Sequence, residues 1–230
     1  VKIFKQNGTL VKEFFAYDTN FTGGVFVSAA DTEGDGQSEI ITGAGPGGGP
    51  HVKIFDFTGV VKQQFFPYDP NFRGGVDVAA FASTKKSSRT SSSSGGFVTA
   101  PGKGGGPDIK VYDKDGKMKS NFFAYDSNFT FGVRVAAGNG STSNSGMEIA
   151  VVPASSGGPH AKLFSTSGKQ LFSNLIGFES WWRSGYDVAV GEGGGAIVSG
   201  GNRRASLRST TFKNTSTRTD RNRSRSNDDD

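Results

Sequence analysis

An internal repeat with a period of slightly more than fifty residues constrains the fold of this chain more than any other feature. One block occurs four times, the last time weakly, as FFAYDTNFTGGVFVSAAD (14–31), FFPYDPNFRGGVDVAAF (65–81), FFAYDSNFTFGVRVAAG (122–138) and LIGFESWWRSGYDVAVG (175–191). A second block occurs three times, as GAGPGGGPHVKIFD (43–56), APGKGGGPDIKVYD (100–113) and VPASSGGPHAKLFS (152–165). Four copies of one supersecondary unit therefore make up most of the chain.

Each copy contains four short stretches with strand character. In the first complete copy these are VFVSAA (25–30), EIITGA (39–44), HVKIFD (51–56) and VVKQQFF (60–66). Apolar and polar residues alternate in the first and third stretch, the second is a compact apolar run, and Gly, Pro, Asp and Asn separate all four. The 35 Gly disfavour long helices, and the 20 Phe supply large apolar side chains that a disordered chain lacks. The sequence therefore predicts an all-β fold.

A unit of this length with four strands is typical of a β-propeller, in which four-stranded sheets, the blades, pack face to face around an axis. The predicted propeller spans residues 1–202, with repeats at about 1–51, 52–108, 109–160 and 161–204. Residues 203–230 form a basic, Ser/Thr/Arg-rich tail, which carries eight basic and four acidic residues and so most of the net charge of +5. We expect this tail to be solvated. The alternative is that its first residues form one extra strand and only the rest is disordered.

The phase of the repeat predicts how the propeller closes. The chain opens with VKIF, the counterpart of the third strand of a unit, and the last unit reaches only its first two strands, YDVAVG and GAIVSG. Completing that unit with strands Val1–Phe4 and Leu10–Tyr17 would remove two exposed sheet edges. We therefore predict four blades, closed by pairing the N-terminal strands with the C-terminal blade beside Ala196–Ser199. The alternative is a fragment of a larger ring, with ASLRSTTF (205–212) as a third strand of the last unit.

Several classes of protein are disfavoured by what the sequence lacks. There is no Cys, which excludes disulfides, thiolate metal sites and a cysteine nucleophile. No apolar run approaches the roughly 20 residues that span a bilayer, so we expect no membrane span. No Ser/His/Asp set or acid pair stands out at a defined spacing, so we expect no enzymatic activity. The sequence begins at Val1 without a leader pattern, which suggests a removed targeting segment or a piece of a longer chain.

Oxygen-bearing side chains cluster in the loop between the first two strands of the first complete unit. The loop reads DTEGDGQSE (31–39), with oxygen ligands at relative positions 1, 3, 5 and 9 and Gly in between for a tight turn. This spacing suits Ca²⁺, which takes about six to eight oxygen ligands. The predicted ligands are the side chains of Asp31, Glu33, Asp35 and Glu39 and the backbone carbonyl of Gln37. Without a cation these carboxylates would repel one another; the alternative is a metal-free acidic turn.

The loop resembles the D-x-D/N-x-D-G-x-x-D calcium loop of FG-GAP/VCBS-type repeats, which build integrin α-chain propellers and occur in many bacterial surface proteins. The phrases GAGPGGGPHVKIFD and FFPYDPNFRGGVDVAA resemble the bacterial branch of that family, and the resemblance covers roughly residues 1–200. It implies a propeller with calcium loops on one face and an extracellular or cell-surface location. Glu33 and Glu39 depart from the family pattern, because a shorter Asp or Asn is usual at their positions. The other units have mostly lost the ligand series, so Ca²⁺ would stiffen one blade.

Other conspicuous residues have structural interpretations. The Gly-rich runs at 43–50 and 102–107 precede strands rather than a helix, which favours tight turns over a phosphate-binding loop. Aromatic corners recur in the units, which favours packing between blades over exposed stacking platforms; in the first unit they comprise Phe14, Phe15, Tyr17 and Phe21. Trp181 and Trp182 break the repeat, and these two are the candidate ligand-binding residues.

These patterns favour a non-enzymatic interaction or structural module that acts in adhesion, matrix or appendage assembly, with Ca²⁺ as its cofactor. The expected partners are other surface proteins or glycans, and self-association is left open. Nucleic acid is not expected, because a solvated tail accounts for the basic residues. Two alternatives stay open: a carbohydrate-binding, lectin-like propeller with pockets between its blades, and an accessory domain of a larger secreted enzyme.

Overall fold

All regular structure in the described part of the chain is β-strand. The computed structural model describes residues 1–83, 94–138, 147–176, 183–191, 195–200 and 208–211. Its strands form a two-stranded, a three-stranded and three four-stranded sheets, and all pairings are antiparallel. The predicted all-β class is confirmed.

The strands follow one another through the sheets in sequence order. The N-terminal hairpin consists of β1 (Lys2–Phe4) and β2 (Leu10–Glu13), and sheet 1 of β3 (Val25–Ala30), β4 (Glu39–Ala44), β5 (Val52–Phe55) and β6 (Val61–Phe65). Sheet 2 contains β7 (Val76–Phe81), β8 (Gly96–Pro101), β9 (Asp108–Asp113) and β10 (Met118–Phe123). Sheet 3 contains β11 (Val133–Gly138), β12 (Glu148–Pro153), β13 (His160–Ser165) and β14 (Gln170–Ile176). Sheet 4 contains β15 (Tyr186–Gly191), β16 (Gly195–Gly200) and β17 (Arg208–Thr211).

Each four-stranded sheet is one sequence unit folded as a meander. Strands β3 to β6 coincide with the four stretches that the sequence predicts, and neighbours in the chain are neighbours in the sheet. Strands β4, β7 and β8 are buried along their whole length, whereas β6 and β10 are mostly exposed. The second strands β4 and β8 therefore lie inside the molecule, and the fourth strands β6 and β10 lie outside.

Successive sheets pack against each other through apolar cores. The first strands contact in order, β3 with β7, β7 with β11 and β11 with β15. Side chains buried between sheets 1 and 2 include Ile41, Val52, Val76 and Val78. Those buried between sheets 2 and 3 include Val98, Ile109, Val133 and Val135. Because a strand buries alternate side chains on its two faces, each sheet can serve two such interfaces.

The first strands of all four sheets also line one cavity of about 420 Å³. Two hydrogen bonds join neighbouring strands there. The Ala80 amide of β7 donates to Ser28 Oγ of β3 at 2.8 Å, and the Val135 amide of β11 donates to Asp77 Oδ2 of β7 at 3.0 Å. The four sheets therefore share a common inner region.

A tyrosine in the linker that enters each of sheets 1, 2 and 3 makes the same contact with that sheet. The hydroxyls of Tyr17, Tyr68 and Tyr125 donate to the backbone carbonyls of His51, Asp108 and His160, at 2.8, 2.9 and 2.5 Å. The next residue is an aspartate, and its Oδ1 accepts the amide of the Asn two positions further on, at 2.7–2.9 Å. These aspartates therefore fix the turn that delivers each linker to its sheet.

The Gly-rich turns between the second and third strands contact the backbone of the linkers that lead into the sheets. Gly45 and Gly102 donate to the carbonyls of Gly24 and Gly75, at the linker that enters their own sheet. Three residues donate to the linker entering the next sheet, each at 2.8 Å: Gly47 to Arg73, Gly104 to Thr130 and Ser156 to Arg183. A Cβ on Gly45 or Gly102 would overlap the carbonyl oxygen of Gly23 or Gly74. The runs at 43–50 and 102–107 are tight turns in which Gly45 and Gly102 permit this close approach.

The predicted pairing of N-terminal strands with the C-terminal blade is wrong in this structure. Strand β16 pairs on one side with β15 and on the other with β17, so the place beside Ala196–Ser199 is taken by Arg208–Thr211. Strands β1 and β2 pair with each other, and Ile3 packs against sheet 1 beside Ile40 and Phe55. A strand that follows β16 after a short connection closes a smaller loop than the N-terminus does, at a lower cost in chain entropy.

Strand β3 is less covered than its counterparts. Val25 and Val27 are 39% and 50% exposed, whereas the equivalent Val76 and Val78 of β7 are buried. This difference agrees with the strand pairing of the described residues, in which β1 and β2 pair with each other and not with sheet 4.

We expect Gly102→Ala to lower the free energy of unfolding by about 3 kcal/mol, because the new methyl group overlaps the backbone of Gly74 in the linker that enters the same sheet. Gly47→Ala is the matched control. Its φ of +91° disfavours an L-residue, but no heavy atom lies within 4 Å of the new Cβ, so the expected loss is about 1–2 kcal/mol. Urea denaturation of both variants measures the difference, and equal losses would contradict close backbone approach as the reason for glycine.

Candidate functional site

The acidic loop lies between β3 and β4 and is curled around Asp31. The Asp31 carboxylate accepts backbone amides from Gly34 at 2.6 Å, Asp35 at 3.1 Å and Gly36 at 2.9 Å. Gly34 and Gly36 have φ values of +79° and +93°, which glycine adopts without strain. Asp35 Oδ1 in turn accepts the amide of Gln37 at 2.8 Å. The short side chains of the loop therefore hold its backbone in shape.

The two glutamates of the loop meet a lysine from another strand. Lys62 of β6 places Nζ 2.6 Å from Glu33 Oε1 and 3.4 Å from Glu39 Oε1. The hydrogen bond to Glu33 and the charges of both glutamates raise the pKa of Lys62. Glu39 is buried, and its Oε2 accepts the amide and the hydroxyl of Thr32 at 3.0 and 2.7 Å. A cation of the chain itself thus stands between two of the predicted calcium ligands.

The predicted ligands thus make two kinds of contact. Asp31 and Asp35 accept hydrogen bonds from backbone amides of the loop, whereas Glu33 and Glu39 form ion pairs with Lys62. In the residues that the structure describes, no group of three or more His, Cys, Asp or Glu side chains is arranged to hold a metal. The calcium assignment to Asp31, Glu33, Asp35, Gln37 and Glu39 stays a prediction. Trp181 and Trp182, the candidate ligand-binding residues, lie outside the described residues.

The inner cavity contains charged side chains that sequence reasoning did not single out. Asp77, Arg134 and Asp187 occupy the second position of β7, β11 and β15, where β3 has Phe26. All four line the cavity, and the Arg134 guanidinium lies 4.3 Å from the Phe26 ring centroid. The repeat alignment could have found this set, because position two of the first strand is apolar in one copy and charged in three.

Asp77 is the buried member of this set. Its Oδ1 accepts the amide of Val78 at 3.1 Å and its Oδ2 the amide of Val135, so it bridges sheets 2 and 3. Burial raises its pKa to about 6, although the Arg134 guanidinium and the Val135 amide act in the opposite direction and Asp187 adds a smaller increase. The carboxyl therefore changes charge in the mildly acidic range.

A row of exposed phenylalanines recurs at one repeat position. Phe15, Phe66 and Phe123 each follow the last strand of their sheet or end it, and they are 77%, 51% and 57% exposed. The expectation that the aromatic corners pack between sheets holds for Phe14 and Tyr17, which pack in the core of sheet 1. It is wrong for the row, because the second Phe of each pair points to the opposite side of the extended backbone.

A groove between sheets 1 and 2, here called the first groove, adjoins this row at Phe66. The first groove has a volume of about 440 Å³ and is lined by Tyr17, Asp18, His51, Lys53, Phe66 and Arg73, among others. His51 stacks on Phe66 with ring centroids 4.7 Å apart and an angle of 22° between the rings. Burial, with a smaller contribution from the Lys53 charge, lowers the pKa of His51. The groove combines an aromatic surface with charged side chains, which suits a small polar ligand with one apolar face.

Comparison with known proteins adds little to this geometry. No protein-family model and no curated protein matches the chain. Among solved structures the chain is similar to a protein of unknown function from Bacteroides caccae, with 12% sequence identity and a TM-score of 0.47. The similarity covers 90% of this chain and 66% of that one, so the chain spans about two thirds of that protein. In the described residues no helix is long and apolar enough to cross a membrane.

We expect Asp77 to titrate near pH 6 in the folded protein and near its ordinary value of 3.8 in the unfolded chain. The folded state then binds more protons than the unfolded state between about pH 4 and 6, so the free energy of unfolding decreases as the pH rises through that range. The expected decrease is at most about 3 kcal/mol. Denaturation at a series of pH values, with NMR titration of the Asp77 carboxyl carbon, measures both quantities.

Two neighbouring charges provide the controls for this titration. Asp187→Asn removes a negative charge and should lower the pKa of Asp77, and Arg134→Gln removes a positive charge and should raise it. If neither substitution moves the titration, charges across the cavity do not act on Asp77.

Proposed function

We propose that this chain is a β-propeller of the FG-GAP/VCBS type and serves as a non-enzymatic interaction module at the cell surface or outside the cell. Four features support the propeller: repeated meander sheets, face-to-face packing in sequence order, the same hydrogen bonds at successive junctions, and a cavity lined by all four first strands. Such a scaffold holds loops and edge residues rigidly, and those carry binding in proteins of this architecture.

The row of exposed phenylalanines is the observation that carries the interaction role. Phe15, Phe66 and Phe123 occur once per unit, at 51 and 57 residue intervals, on equivalent parts of three consecutive units. A single exposed apolar residue is ordinary, but the same large side chain exposed in three repeats forms a periodic apolar surface. A partner that is itself extended or repetitive could contact all three. Several weak contacts to one partner give a higher overall affinity than any single contact.

Calcium fits this proposal as a local stiffener of sheet 1. The loop is already curled, its glycines supply the turns, and Lys62 shows that its glutamates attract a cation. We infer that Asp31, Glu33, Asp35, Glu39 and the Gln37 carbonyl hold Ca²⁺ in competition with Lys62. The ion would link the loop to β4 and supply no reaction step.

Glycan binding is the second candidate function, and the first groove favours it. Its aromatic side chains and polar groups lie between two sheets, where a sugar ring could stack on one surface and donate hydrogen bonds to another. The groove adjoins the row at Phe66, so both functions would use the same part of the surface.

If Ca²⁺ binds the native state with a submillimolar Kd, millimolar Ca²⁺ should raise the free energy of unfolding by roughly 1–3 kcal/mol. Asp35→Ala should abolish this gain. Lys62→Gln should enlarge it, because the two glutamates lose their internal counter-ion. Thermal unfolding with Ca²⁺ and with a chelator measures each effect.

Asp56→Ala is the matched control for calcium. Asp56 also fixes a tight turn, by accepting the amides of Thr58 and Val60, so its loss should lower stability equally with and without Ca²⁺. An unfolding midpoint of the native protein that is the same in Ca²⁺ and in chelator would rule the site out.

Replacing Phe15, Phe66 and Phe123 together by Ser should weaken binding at least tenfold and leave the unfolding midpoint nearly unchanged, because these side chains are exposed. The labelled chain is tested on an array of immobilised glycans and on an immobilised second copy of itself. A variant with Phe57, Val60 and Met118 replaced by Ser is the control, since these side chains are also exposed but do not form the row. Equal binding by both variants would contradict the role of the row.

A further inference from the structure

The repeat positions that line the first groove recur between sheets 2 and 3 with similar contacts. A Cβ on Gly49 would contact Phe66 and the Pro70 carbonyl, and one on Gly106 would contact Phe123 and the Ser127 carbonyl. The second groove is therefore defined by Tyr68, Asp108, Lys110, Phe123, Ser127 and Thr130, the residues at the same repeat positions. Differences between the grooves arise from side chains, which makes one a control for the other.

The lysines of the two grooves differ in what they bind. Lys110 Nζ donates to the Pro67 carbonyl at 2.6 Å, lies 3.6 Å from Asp108 Oδ2 and stands over the Tyr68 ring. Lys53 also lies over its tyrosine, with Nζ 5.2 Å from the Tyr17 ring centroid, but within the described residues its ammonium has no hydrogen-bond acceptor. His51 replaces the aspartate that Lys110 pairs with. The Lys53 ammonium is therefore available to an anion.

Arg73 adds a second cation that the other groove lacks. Its Nη1 donates to the carbonyls of Pro70 and Phe72, at 2.5 and 3.0 Å, which holds the guanidinium at the groove. In the described structure Nε and Nη2 make no hydrogen bond, and a guanidinium edge with two free N–H groups matches a carboxylate. Thr130 stands at this position in the second groove.

The charge balance of the grooves is opposite. The first groove has Lys53 and Arg73 against one carboxylate, Asp18, whose Oδ1 already accepts the amide of Asn20. The second has Lys110 against Asp108 and Asp69, the residue at the position of Asp18. With His51 stacked on Phe66, the first groove also offers an aromatic surface beside its two cations.

We propose that the first groove binds a carboxylate-bearing sugar, a hexuronate residue of an acidic polysaccharide. The carboxylate pairs with Arg73 and Lys53, and the apolar face of the pyranose ring lies against Phe66. A groove of about 440 Å³ is in the size range of small-ligand sites and accommodates one or two sugar rings. This inference rests on the proposed interaction function. It assigns a ligand class to the second candidate function, glycan binding.

Isothermal titration of the full chain with oligogalacturonate, and with the same oligomer after reduction of its carboxyl groups, tests the proposal. We expect the acidic oligomer to bind at least tenfold more tightly than the neutral one, with an affinity that falls as salt rises. Phe66→Ala and Arg73→Thr should each weaken binding at least tenfold. Phe57→Ala, at an exposed phenylalanine outside both the row and the groove, should alter it less than twofold.

The two histidines of the chain report where the ligand binds. Addition of oligogalacturonate should shift the imidazole proton signals of His51 and leave those of His160 in place, because Ile176 stands at the repeat position of Phe66 in the third unit. Equal affinity for the reduced oligomer, or unchanged binding by Arg73→Thr, overturns the proposal. If oligogalacturonate does not bind while the chain still binds other glycans or itself through the phenylalanine row, the ligand class is wrong and the interaction function stands.

Discussion

Close contact between backbones of neighbouring sheets is the constraint on which the rest of the structure depends. In sheets 1 to 3 the turn between the second and third strands donates amides to the linker that enters its own sheet and to the linker that enters the next. A Cβ on Gly43 of sheet 1 would overlap the Val76 carbonyl of sheet 2, and one on Gly132 at the entry to sheet 3 would overlap the backbone of Gly102 in sheet 2, so side chains have no room at these points. The sheets are thus held at a fixed distance by main-chain groups, and the apolar cores fill the space that this distance leaves.

The repeat made much of this fold predictable. Alternation of apolar residues and glycine-rich separators located β3 to β6, and the same pattern located β15 and β16 at the end of the chain. The pairing of the last unit was not predictable in the same way, because β1 and Arg208–Thr211 both have the pattern of a third strand. Local patterns specify that a strand forms, whereas the choice between two strands depends on connection length and packing against the sheet.

The sites were predictable only in part, for a related reason. The acidic loop is a local motif, so its residues could be named from spacing, but Lys62 comes from a strand 29 residues beyond Glu33. The pairing of Lys62 with Glu33 and Glu39 needs the folded sheet. The exposed phenylalanines and the first groove depend on which side of the chain each aromatic residue faces after the linker turns. Comparing the same position across units, as Arg73 with Thr130, gives the best signal that the sequence alone contains.

Repetition of identical junctions has an evolutionary consequence. Sheets 1, 2 and 3 each have the same tyrosine hydroxyl bond and the same aspartate-capped turn at the linker that enters them, and each donates an amide to the linker that enters the next sheet. A gene segment that encodes one unit could be duplicated or lost without requiring a new contact surface, because the units on both sides already form the same contacts with their neighbours. Residues outside the junction can then change without loss of the fold, so one unit can acquire a ligand-binding site while an equivalent unit has none.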